Sequence, residues 1–103
     1  MENIEKATDA IKQIKEGVLV LEKKDGDTLH FFILTSDGEG LKTSMDSSAL
    51  EKYAGNESEL VSLLKYAPVT KEDVEFFNLQ KRAYTLNQSM VTTLKKFINR
   101  IMD

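Results

Sequence analysis

One histidine, no cysteine and 17 acidic side chains bound the chemistry open to this 103-residue chain. Without cysteine there is no thiolate nucleophile, no disulfide framework and no Cys-ligated zinc site. His30 sits in an apolar stretch, Thr28-Leu-His-Phe-Phe-Ile-Leu-Thr35. An imidazole there serves either as a half-buried packing residue or as a pH-sensitive pairing at an interface. Serine and aspartate are plentiful, so residue types alone leave a Ser-His-Asp set open. No nucleophile-elbow sequence, no His-Glu-x-x-His and no second histidine accompanies it.

Four acids cluster in two turn regions, Asp25 with Asp27 and Asp37 with Glu39. Carboxylates in that number suggest Ca²⁺ or Mg²⁺. A strand of about ten residues between the turns holds them roughly 33 Å apart, too far for one ion. Neither turn follows the spacing of a calcium loop. Turn chemistry, which favours Asp, accounts for them. Ser36-Asp-Gly-Glu-Gly40 carries two glycines but leads into a strand, whereas a phosphate cradle leads into a helix N-terminus. No catalytic, cofactor-binding or metal-ligating residue is assigned on these grounds, and the chain reads as a non-enzyme without a cofactor.

Charge position says more. The formal charge of −3 divides into −7 over residues 1–78 (9 basic, 16 acidic) and +4 over 79–103 (5 basic, 1 acidic). The cations of the second part are Lys81, Arg82, Lys95, Lys96 and Arg100, opposite an apolar stripe on a helical wheel. They suit an acidic partner or nucleic acid. They also suit a solvated face near a helix C-terminus. Tyr84 is the one stacking residue close to them.

The elements that must position these residues are α and β. Ile4, Ala7, Ile11 and Ile14 space a helix over 2–16, with Gly17 at its C′ position. Strands are expected at 18–23 and 28–35, with Asp25-Gly26 as a type I′ turn. A weaker third strand is expected at 40–45 after Asp37-Gly38, making a three-stranded antiparallel meander. This register puts Val18 opposite Ile33, Val20 opposite Phe31 and Leu21 opposite His30. One face then carries Val18, Val20, Leu29, Phe31 and Ile33, and the other Leu19, Leu21, His30, Phe32 and Leu34. Both are apolar, so both need cover, from helices or from a second copy.

Helices follow. Ser48-Ala-Leu-Glu51 reads as a capping box for a short helix closed by Gly55. Asn56–Glu59 opens another, Pro68 marks a break, and Thr70–Asp73 starts a third. Residues 71–102 contain neither Gly nor Pro. They read either as one helix of about 48 Å or as two broken near 85–89, where a helix-turn-helix would present Asn87, Gln88 and Ser89. As one helix, Phe76, Leu79, Ala83, Leu86, Asn87, Met90, Leu94, Phe97 and Ile101 share a face too long for a small domain to cover.

The expectation is therefore a single α+β domain over 1–103, with an N-terminal helix, a three-stranded meander and C-terminal helices. Its role is protein–protein binding or regulation, as a homodimer through the 76–101 seam. Nucleic-acid binding through 79–100 is the alternative, and a ligand-binding protein or enzyme with a pocket between sheet and helices is a third reading. No apolar run reaches the ~18–20 residues of a membrane helix. The acidic start Met1-Glu-Asn-Ile-Glu5 is unlike a signal peptide. With the missing cysteines, this points to a cytoplasmic protein.

Overall fold

The computed structural model describes residues 2–103, with side chains from Ile4 onward; Met1, the first residue of the acidic opening, lies outside them. The apolar stripe beginning at Ile4 does form a helix, α1 (Glu2–Lys15). The residue that leaves it with positive φ is Glu16, at +52°. Gly17 instead begins β1 (Gly17–Asp25), and a Cβ there would lie 2.9 Å from Ile33 Cγ2. Its missing side chain makes room for close packing, not for a left-handed turn.

The hairpin forms between β1 and β2 (Thr28–Thr35), but Asp25 pairs with Thr28, so Gly26-Asp27 is the two-residue loop. Gly26 alone in this loop has positive φ, +63°. That is the Gly-X pattern of a type II′ turn, not the type I′ turn expected. The true partners are Val20 with Ile33, Leu21 with Phe32 and Lys23 with His30. This is a slip of two from the expected register, so the faces stay as expected. The exception is Val18. A bulge between Gly17 and Leu19 turns it toward the Leu19 face.

The third strand, β3 (Gly40–Asp46), pairs antiparallel with β2. A fourth strand, β4 (Ala67–Pro68), pairs with β3 and completes an antiparallel sheet in the order β1-β2-β3-β4. The expected three-stranded sheet thus gains a short edge. Proline suits that edge, where its missing N–H removes no internal ladder bond.

Both sheet faces are covered by the chain itself. On one face α1 packs with α2 (Ser47–Lys52) and α3 (Glu57–Leu63) over Val20, Leu29, Phe31 and Ile33. Leu19, Leu21, Phe32 and Leu34 face α4 (Lys71–Phe76), α5 (Leu79–Arg82), a 3-10 turn (Ala83–Thr85) and α6 (Gln88–Met102). Ser48 does not cap: Asp46 is the N-cap of α2, without a side-chain cap bond.

The single helix over 71–102 is not formed. Asn78 takes a left-handed φ of +55° between α4 and α5. Leu86 and Asn87 are extended before α6. The molecule measures 39 Å along its longest axis, less than such a helix needs. Of the proposed seam, Leu79, Ala83, Leu94 and Phe97 are buried in the core, with Phe76, Leu86, Met90 and Ile101 packed against it. Asn87 is on no apolar seam. Its side chain accepts the Met90 backbone N–H at 3.0 Å and caps α6.

Candidate functional site

Among the described residues, two concave regions bring together the cations and the histidine singled out above; a third, of about 340 Å³ beside α1, is lined by Ile4, Glu5, Thr8, Asp9 and Glu22. The first is a groove of about 410 Å³ between residues 80–84 and α6, lined by Gln80, Lys81, Ala83, Tyr84, Lys95, Ile98 and Asn99. The 3-10 turn at 83–85 sets it up. Ala83 is buried as an anchor, and the next side chain, Tyr84, is thrown outward and is 81% exposed. The Lys95 ammonium lies 5.5 Å from the Tyr84 ring centroid, within cation–π range.

The five cations expected to act together are divided by the fold. Lys81 and Lys95 line the groove. Arg82 instead donates to the Glu22 carbonyl at 2.9 Å, tying α5 to β1. Arg100 donates to the Gly38 carbonyl and so ties α6 to the β2–β3 turn. Lys96 is exposed on α6. In that same turn Asp37 accepts from the Thr35 hydroxyl and the Glu39 N–H, which hold its carboxyl below its ordinary value. The acids of the two turns therefore stand at opposite ends of β2. Among the described residues no group of His, Cys, Asp or Glu is arranged to hold a metal.

The second region is a cleft of about 700 Å³ between β2–β3, the segment before β4, and α4. His30 lies in it, with its ring edge-on to Phe76 at 4.9 Å between centroids. Phe76 is held in turn by Lys23, whose ammonium sits 4.2 Å from the ring centroid and donates to the Phe76 carbonyl at 2.7 Å. Ser44 is the cross-strand partner of His30. Lys42, on the same face, pairs with Asp73 at 2.7 Å.

Asp73 is well occupied. Besides Lys42 it accepts the Thr70 N–H at 2.8 Å and the Thr70 hydroxyl at 2.9 Å, at the start of the helix expected from Thr70–Asp73. Burial alone raises its pKa; the Lys42 and Thr70 hydrogen bonds outweigh burial and hold the carboxyl below its ordinary value. Ser44, His30 and Asp73 thus share one cleft, but Asp73 is committed elsewhere and no hydrogen bond joins His30 to either. The relay that a nucleophilic serine needs is not assembled.

Sequence reasoning reached His30, Tyr84 and the cations. It missed Lys42, Ser44 and Leu63 around His30. A correct β2–β3 register would have found Ser44; Lys42 and Asp73, 31 residues apart, left no local signal.

No protein-family model matches the chain, and neither the curated proteins nor the solved structures compared with it give a match.

Proposed function

We propose that this is a non-enzymatic binding protein that docks an acidic segment of a partner protein in the groove between residues 80–84 and α6. The observation behind this reading is Tyr84, a large aromatic that is 81% exposed beside Lys95 and Lys81 in a groove whose lining has no acidic residue. Tyrosines are over-represented at the anchoring points of protein interfaces. The two lysines favour carboxylates, and the amides of Gln80 and Asn99 offer donors and acceptors at the rim.

Nucleic acid is the less favoured occupant. Arg82 and Arg100 already serve backbone carbonyls, so of the five cations only Lys81 and Lys95 line the groove, few for a phosphate backbone. A homodimer through the 76–101 seam has lost its motive, because that apolar face is spent on the chain's own core.

The test is partner capture with wild-type protein, Tyr84→Ala and Lys95→Glu, followed by titration of the partner's acidic peptide against labelled protein. Both substitutions are expected to weaken the peptide at least about tenfold, which is about 1.4 kcal/mol. Amide shifts should centre on 80–85 and α6. A partner bound equally by all three proteins overturns the reading. So does a single-stranded oligonucleotide binding at the groove in the peptide's place, or a doubled mass abolished by Tyr84→Ala.

A further inference from the structure

The second cleft holds hydrogen-bonding groups that the fold does not use. Ser44 is exposed and His30 half-buried, and among the described residues neither the Ser44 hydroxyl nor the His30 ring nitrogens have a hydrogen-bond partner. Lys42 gives one proton to Asp73 and keeps two. These three side chains stand together on the sheet face of β2 and β3, since Lys42 and Ser44 are two residues apart and Ser44 pairs with His30.

The walls around them are apolar. Phe76 closes one side, fixed by Lys23 and by the edge of Phe77 at 5.2 Å between centroids. Leu63 also lines the cleft and is 62% exposed, a large side chain left in water at its mouth. Lys42 and Lys65 against Asp73 leave the lining with a surplus of one positive charge. The volume of about 700 Å³ falls in the range of small-molecule sites, which are mostly apolar with a few convergent polar groups.

We propose that this cleft binds a small amphipathic carboxylate. The carboxylate accepts from Ser44, His30 and the free protons of Lys42, and the apolar body lies between Phe76 and Leu63. Lys42 is positioned for this by Asp73, which holds the ammonium over the cleft without neutralising the lining as a whole. This site is separate from the Tyr84 groove and does not depend on it.

The single histidine makes the test direct, because the imidazole Hε1 proton of His30 gives one NMR resonance from inside the cleft. The probe is 2-naphthoate, with 2-naphthamide as its uncharged counterpart. Naphthoate is expected to move the His30 resonance saturably, at one site per chain. Ser44→Asp, which puts a negative charge beside His30, and Leu63→Asp, at an exposed rim position, should each weaken it at least about tenfold. Naphthamide should bind about tenfold more weakly than naphthoate, and Tyr84→Ala should bind naphthoate like wild type. Pairing a strand variant with one outside the strands guards against a disturbed sheet, and their amide spectra report the fold. The proposal is overturned if the resonance does not saturate, if folded variants bind as wild type does, or if amide and carboxylate bind alike.

Discussion

At the level of single residues, Asp73 does two jobs at once. It closes the capping box of α4, and by pairing with Lys42 across the cleft it links the helix to β3. Asp73→Asn keeps the size but loses the charge, and is expected to cost about 1–2 kcal/mol. The pH dependence has a definite sign. A carboxyl whose folded pKa is depressed contributes stability that is present above the unfolded value, about 3.9, and is lost as pH falls through the lower folded value. Acid unfolding curves below about pH 4 should therefore be shallower for Asp73→Asn than for wild type. Parallel curves would show that the carboxylate's charge contributes nothing. Half of this arrangement was legible: Thr70–Asp73 is a local motif, and a local motif survives reading in one dimension. Lys42 was not, because nothing in a chain marks a partner 31 residues away. Gly40 makes the same point. Its value is invisible until α6 is placed, when a Cβ there would fall 2.2 Å from Phe97 Cζ. Phe97 is itself in contact with Phe32, so it cannot retreat freely. Gly40→Ala should cost about 1–3 kcal/mol in urea unfolding.

Among the elements, the stretch 71–102 shows why periodicity can mislead. The same apolar residues that would stripe one long helix also suit three shorter pieces folded back on one sheet face. Periodicity reports which side chains are buried and not whether the axis is straight. Leu79, Ala83, Leu94 and Phe97 belong to that apolar stripe and are buried, yet against the sheet of their own chain. The break lies where Asn78 takes a left-handed φ and where Asn87 caps α6. Asparagine tolerates both roles, and neither needs Gly or Pro as a marker. Asn87→Ala should lower stability by about 1 kcal/mol, with Asn87→Ser close to wild type, in thermal or urea unfolding. Equal losses in both variants would mean the amide does something other than capping. The short β4 was missed for a related reason. Two residues are too few to show alternation, and Pro68 argues against a strand until its edge position is known.

For the molecule as a whole, the deciding feature is that one sheet carries two cores. β2 contributes Phe31 and Ile33 to the α1–α3 side and Phe32 and Leu34 to the α4–α6 side, all fully buried. The two-sided apolar hairpin was readable from the alternation in 28–35; that the chain itself supplies both covers was not, since a second copy would have satisfied the same pattern. If β2 is a shared wall, neither helical layer has a folded state of its own, because losing one exposes a fully apolar sheet face to water. Unfolding should then be one transition. Ile11 in α1 and Ile98 in α6 are buried on opposite sides. Ile11→Val and Ile98→Val should each cost about 1 kcal/mol. Native-state hydrogen exchange makes the prediction specific. Ile11→Val should lower the opening free energy of the slowest α6 amides by as much as it lowers those of α1, and Ile98→Val should act reciprocally. A loss confined to the mutated layer would mean that the two sides open independently. The proposed groove and cleft, both built against the α4–α6 side, would then belong to the layer that can peel away rather than to a rigid scaffold.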